Sequence, residues 1–157
     1  MAVRTKHAHP EAKSIPGKAP TALLAACRSA GLRRTRLLER VLAVLHDRVE
    51  PVNIRELQTV RGIAGACNPA TLYRLLLRLE TKGLIRRIGL HERAAHYTLR
   101  RAHHHDYVVC RECGDVATLK MACPVEKLER AVGKRTGFKE IYHELQFYGV
   151  CPQCDAP

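Results

Sequence analysis

The chain has no tryptophan, and its five tyrosines and two phenylalanines bring aromatic content to only 4% of 157 residues. No apolar run approaches the roughly twenty residues a membrane helix needs, which excludes a span of that kind. No signal-peptide pattern opens the sequence, so the expected location is the cytoplasm and no membrane partner is expected. There is no separate general base or substrate-positioning motif, which argues against a metalloenzyme in which a bound ion activates water. No catalytic residue is therefore assigned. What remains is an ordinary globular composition, 46% hydrophobic and 27% charged, sized for one domain or two small ones.

Acidic charge is also short, but only in part of the chain. Residues 1–102 hold 20 of the 27 Lys and Arg but 7 of the 15 Asp and Glu, a net of +13, whereas residues 103–157 come to −1. This asymmetry points to a nucleic-acid-binding module joined to a neutral sensing or assembly module. The plain alternative is a basic surface that only keeps the protein in solution.

Seven cysteines are present, and four lie in two Cys-x-x-Cys knuckles about forty residues apart: Cys110 with Cys113, and Cys151 with Cys154. Two knuckles complete a tetrahedral four-sulfur shell, the usual closed structural zinc site. Two disulfides or four independent core thiols are the other readings, and a reducing cytoplasm suits metal spacing better than export. His103-His104-His105-Asp106 abuts the first knuckle. A bare histidine run is often a solvated tract, but beside a four-cysteine knot metal binding is the better reading. Cys27 and Cys67 have no partners at metal spacing and read as small apolar residues. Cys123 reads as a loop or packing cysteine that could add a soft ligand.

Residues 1–19 mix Lys, His, Pro and Ala without periodicity and read as a disordered basic arm. A helix is predicted over 21–30 with Gly31 as its stop, and a second after Thr35, with Leu38, Val41, Leu42 and Leu45 on its apolar stripe. Asn53 and Glu56 make a capping box for a third helix from about Ile54. Asn68-Pro69 opens a fourth, whose Leu72, Leu75, Leu76 and Leu79 face the core. Tyr73, Arg74, Leu77 and Arg78 fall outside that stripe. Strands at 84–88 and 96–99 follow, joined by a polar turn. Short helices and then a hairpin is the winged-helix order, in which the last helix before the wing reads the major groove. A solvated helix face is the bland reading of Tyr73, Arg74 and Arg78. Residues 100–102 look like a hinge. Beyond it the pattern predicts strands at 107–110 and 116–119, a helix over 124–135 with Val125, Leu128 and Val132 on one face, and a strand over 138–148. In that last strand Ile141, His143, Leu145 and Phe147 point inward. Satisfied core histidine is the usual state of such a residue, but with candidate ligands close by His143 reads as a ligand.

Together these residues resemble the ferric uptake regulator family of bacterial metal-responsive repressors, over roughly residues 20–155. The pieces that carry the resemblance are Ala30-Gly31-Leu32-Arg33-Arg34-Thr35, Ala70-Thr71-Leu72-Tyr73-Arg74, His103-His104-His105-Asp106, Cys110-x-x-Cys113-Gly114 and Tyr148-Gly149-Val150-Cys151-x-x-Cys154. The resemblance implies an α+β chain: a winged helix-turn-helix domain over 20–99, and a metal-binding α/β dimerisation domain over 103–155. It implies a homodimer that binds double-stranded, AT-rich palindromic operators when metallated and represses genes of iron or zinc uptake. Carried over residue by residue, Arg33, Thr71, Tyr73, Arg74 and Arg78 fall to DNA, and Cys110, Cys113, Cys151 and Cys154 to the structural zinc. His104, Asp106, Glu126 and His143 fall to a regulatory metal, for which Fe2+ or Zn2+ is expected and Mn2+ is possible chemistry.

The family's interdomain metal site matches less well. His105 matches one ligand, but Tyr107 stands where another histidine is normal, Thr98 where a glutamate is frequent, and Pro51 where some members have histidine. His91 and His96 in the wing are the candidates to replace them, with surface histidine as the bland reading. A zinc-specific or peroxide-sensing branch is the alternative within the family. A metal-storage protein or metalloenzyme is the alternative outside it.

Overall fold

The structure, a computed structural model, describes residues 19–89, 95–100, 105–119, 121 and 123–156, with Glu126 by its backbone alone. Most of the expected arm, Arg101 and Ala102 of the expected hinge, and His91, His103 and His104 lie outside the described residues. Two compact units result. Among the described residues no helix is long and apolar enough to cross a membrane.

The first unit begins with α1 (Thr21–Ser29), α2 (Arg36–Asp47), β1 (Val52–Asn53), α3 (Ile54–Thr59) and α4 (Pro69–Thr81). It closes with β2 (Ile85–Ile88), whose last residue belongs to the second unit, and β3 (His96–Leu99). Three of the helices start where a side chain provides a cap. The Thr35 hydroxyl accepts the Leu38 N–H at 3.1 Å and opens α2. Asn53 Oδ1 accepts the Glu56 N–H at 2.9 Å while Glu56 Oε2 accepts the Asn53 N–H at 3.0 Å, the reciprocal box expected for α3. Asn68 Oδ1 accepts the Thr71 N–H at 2.8 Å, and Pro69 starts α4 where a missing N–H costs nothing. α1 ends through Gly31 at φ 79°, and the Leu32 N–H returns to the Cys27 carbonyl at 2.9 Å.

The caps aim the apolar stripes at one core. Leu38, Val41, Leu42 and Leu45 of α2 meet Leu57 of α3 and Leu72, Leu76 and Leu79 of α4. Leu75 is half-buried and packs against the same cluster. Cys27 is buried there, and burial pushes its thiol pKa up, so it packs as a small neutral residue. The strands form a sheet in the order β1-β3-β2, with Val52 opposite Tyr97 and Asn53 opposite His96 in an antiparallel pair.

In the second unit β4 (Tyr107–Cys110) lies between β5 (Val116–Thr118), antiparallel to it, and β6 (Gln146–Gly149), parallel to it. The intervening helix α5 (Glu126–Thr136) ends at Gly137, whose φ of 75° is left-handed. The expected strand over 138–148 is corrected to the four residues of β6. β4 offers only four partners, from Tyr107 opposite Gln146 to Cys110 opposite Gly149, so a longer strand would have no ladder to join. Phe147, expected to point inward, is exposed, as are Leu128 and Val132 of the expected apolar helix face. The buried apolar cluster of this unit consists of Ile88, Tyr107 and Val109, with Val116 against it.

Leu76 is fully buried, so Leu76→Ala is expected to cost about 2–5 kcal/mol from lost burial and a residual cavity. Asn68→Ala removes one cap bond and is expected to cost about 1 kcal/mol. Urea unfolding followed by circular dichroism checks this, and equal costs would contradict the division between core and cap.

Candidate metal centres and nucleic-acid surface

Four sulfur atoms converge at the ends of β4 and β6. Cys110 closes β4, Cys113 sits in the turn that Gly114 completes at φ 76°, and Cys151 and Cys154 follow β6. The Cys110 N–H donates to the Asp115 carbonyl at 2.8 Å, which tightens the first knuckle. The Arg111 N–H donates to the Gly149 carbonyl at 2.8 Å, which fastens it to β6, and the Cys154 N–H closes the second knuckle on the Cys151 carbonyl at 3.0 Å. All four Sγ atoms lie within 4.8 Å of one another, and Cys113 and Cys151 are 3.7 Å apart. A tetrahedral ion with metal–sulfur bonds of about 2.3 Å spaces its sulfurs by about 3.8 Å, so this four-thiol donor set suits zinc. A disulfide needs about 2.05 Å, and all four cysteines are free.

The sulfurs ionise unequally. Backbone N–H groups of Cys113 and Cys151 stabilise the Cys110 thiolate and bring its pKa down to about 6; the Cys151 N–H stands 3.3 Å from the sulfur. Side-chain hydrogen bonds with Cys151 and Cys113 hold Cys154 protonated, up to about 12. Burial pushes Cys113 up as well. An ion at this site has to displace those protons, so its retention weakens as pH falls.

A second cluster gathers around His143, which lies on the irregular segment before β6 rather than on a strand. Donor atoms of Asp106, Cys123 and His143 all lie within 4.8 Å of one another. Asp106 is buried one residue ahead of β4, where its carbonyl accepts the Leu119 N–H at 2.8 Å. Cys123 precedes α5, and its Sγ receives the Val125 N–H at 3.4 Å and stands 3.1 Å from His143 Nε2. The other ring nitrogen, Nδ1, lies 2.7 Å from Glu129 Oε1. Two of the four expected regulatory ligands, Asp106 and His143, are therefore brought together. His104 and the side chain of Glu126 lie outside the described residues. Cys123, read from the sequence as a loop or packing cysteine that could add a soft ligand, stands beside His143 in this cluster. Sequence reasoning did not single out Glu129. Its only signal is that it stands three residues after Glu126, on the same side of one helix.

The interdomain candidates fare differently. His96 is buried in the first unit, with Nε2 3.4 Å from Asn53 Nδ2, which corrects the reading of a surface histidine. Thr98 is buried in the same strand. His105 is half-buried in the second unit, Tyr107 is part of that unit's apolar cluster, and His91 lies outside the described residues.

On α4 the capping at Asn68 and the inward Leu72, Leu76 and Leu79 leave Thr71, Arg74 and Arg78 outside the core, with Tyr73 half-buried and Leu77 exposed. Arg33 is exposed ahead of α2. This is the surface of the basic part of the chain that sequence reasoning singled out.

Residues 29–148 match the ferric uptake regulator family. The chain is 30% identical over 128 residues to the ferric uptake regulation protein of Yersinia pestis, covering 80% of this chain and 86% of that one. It is 36% identical over 85 residues to the ferric uptake regulation protein of Legionella pneumophila, a match covering 54% of this chain and less than two thirds, 62%, of the relative. Among solved structures it resembles the ferric uptake regulator of Vibrio cholerae, whose DNA-binding domains are described as rearranged. That similarity has a TM-score of 0.61 at 26% identity, over 81% of this chain and 98% of that one.

Cys151→Ser is expected to lose one equivalent of zinc per chain and to lower the unfolding midpoint of the second unit, since a structural metal is a large part of a small unit's folding energy. Metal analysis after dialysis checks it; an unchanged zinc content contradicts the four-sulfur site.

Proposed function

The chain belongs to the ferric uptake regulator family, and from that premise we propose that it is a metal-dependent transcriptional repressor acting as a homodimer on double-stranded DNA. The observation that carries the reading is the pairing, in one chain, of an exposed basic helix surface in one unit with two clusters of metal-ligating side chains in the other. In the proposal Thr71, Tyr73, Arg74 and Arg78 of α4 meet base edges and phosphates in the major groove of an AT-rich palindrome. Arg33 contacts the backbone or minor groove. The winged-helix domain spans 20–99 and the dimerisation domain 103–155, after a hinge at 100–102 and a basic arm at 1–19.

Zinc in the Cys110, Cys113, Cys151 and Cys154 site serves structure, because four sulfurs leave no open position. A second divalent ion, Zn2+ or Fe2+ with Mn2+ as a further candidate, is the regulated one, held by Asp106 and His143 with His104 and Glu126. When bound, it supplies the charge that favours one arrangement of its donors over others and so shifts the population toward the DNA-binding form. In the proposal exposed Leu128, Phe138, Tyr142 and Phe147 supply apolar surface for the dimer contact. The regulated genes are those of iron or zinc uptake, and the site of action is the cytoplasm.

Arg74→Ala and Tyr73→Ala are expected to weaken binding to a DNA fragment selected from random sequence by the wild type, by about 1–3 kcal/mol each, with metal content unchanged. Arg33→Ala is expected to weaken binding with less sequence selectivity. Binding of the wild type is expected to fall steeply with salt. Titration by fluorescence anisotropy checks this, and wild-type affinity in Arg74→Ala would remove α4 as the reader.

The chain is further expected to keep two ions after dialysis against a mild chelator. A third ion at His105 would depend on His91 and His96, so a third equivalent lost in His91→Ala/His96→Ala would restore the interdomain site.

A further inference from the structure

We infer that Cys123 is a sulfur ligand of the second metal site, which makes that site a thiolate–imidazole–carboxylate centre selecting zinc over manganese. The inference deepens the repressor reading by naming the chemistry of the ion it would respond to, and it rests on that reading.

Three observations carry it. First, Cys123 Sγ, a donor nitrogen of His143 and a carboxylate oxygen of Asp106 share one 4.8 Å neighbourhood, with Asp106 buried and the other two half-buried. These are soft, borderline and hard donors on one spot, and the soft one is the least suited to manganese. Second, the orientation of His143 is already divided between two roles. Nε2 faces Cys123 at 3.1 Å, while Nδ1 lies 2.7 Å from Glu129 Oε1. A carboxylate on one ring nitrogen fixes the tautomer that turns the other nitrogen's lone pair toward a metal. Glu129 is accordingly a positioning residue that acts through His143. Third, the two half-buried partners of this pair, His143 and Glu129, are only 14% and 22% exposed, which protects a thiolate-bound ion from solvent exchange.

A donor set lacking sulfur suits iron(II), manganese and zinc alike, with only affinity order to separate them. Adding one thiolate changes that comparison, because sulfur stabilises zinc and cobalt(II) far more than manganese.

The test uses the full-length protein with zinc retained in the four-cysteine site, verified at one equivalent, and cobalt(II) as the probe. Wild type is expected to take up one cobalt and to develop a sulfur-to-cobalt charge-transfer band. Cys123→Ser is expected to lose that band. Cys123→Asp keeps a negatively charged donor; it is expected to bind cobalt without the band and to bind manganese more tightly relative to zinc than wild type does. Glu129→Gln is expected to keep the band while cobalt affinity falls about 10- to 100-fold. Cobalt bound to wild type without a charge-transfer band, or a band of full intensity in Cys123→Ser or Cys123→Asp, overturns the inference. The readout involves no DNA, so either result leaves the repressor reading to its own test.

Discussion

The second unit is organised around four sulfur atoms that lie within 4.8 Å of one another. β4 and β6 are four residues each and run parallel, so nothing but a long crossover through β5 and α5 connects them covalently. The knuckles stand at the same end of both strands, and the Arg111 N–H to Gly149 carbonyl bond locks that end. Around this clamp the buried apolar cluster is small: Ile88, Tyr107 and Val109, with Val116. With so few buried apolar side chains among the described residues, a metal held by the four cysteines would supply folding energy that this cluster does not. The parallel ladder between the two strands sets the register of β6 against β4. It thereby sets how far back along the chain His143 falls, in reach of Asp106 just ahead of β4.

The first unit rests on different physics. Its core is aliphatic, drawn from the inward stripes of α2, α3 and α4, and its helix starts are set by Thr35, Asn53 and Asn68 through local hydrogen bonds. Inward leucines on α4 oblige Thr71, Arg74 and Arg78 to face out. One unit thus presents the basic surface, and the other carries the candidate metal ligands. That division of labour is what the proposed metal-dependent repressor requires.

Much of this architecture is legible in the amino-acid sequence. Caps, stripes and knuckles are local features with periods or spacings of a few residues, so α2, α3, α4 and the four-cysteine cluster can be read directly. The extent of β6 cannot, because alternation continues through 138–148 while the partner strand stops after four residues. Phe147 and Leu128 mislead for a related reason: an apolar pattern shows which side seeks cover, and a single chain does not always contain the cover.

Residue chemistry and spacing determined the four-sulfur cluster and the basic face of α4, and the motifs that carry the family resemblance implied the α+β class. Tertiary structure decided the company His143 keeps. Cys123 lies twenty residues before it, Glu129 fourteen, and Asp106 further still, and none of these separations has a period that marks a contact. Only the path of the chain from β4 through α5 to β6 brings thiol, carboxylates and imidazole to one point. Side chains far apart in sequence meet according to backbone packing, which no local pattern encodes.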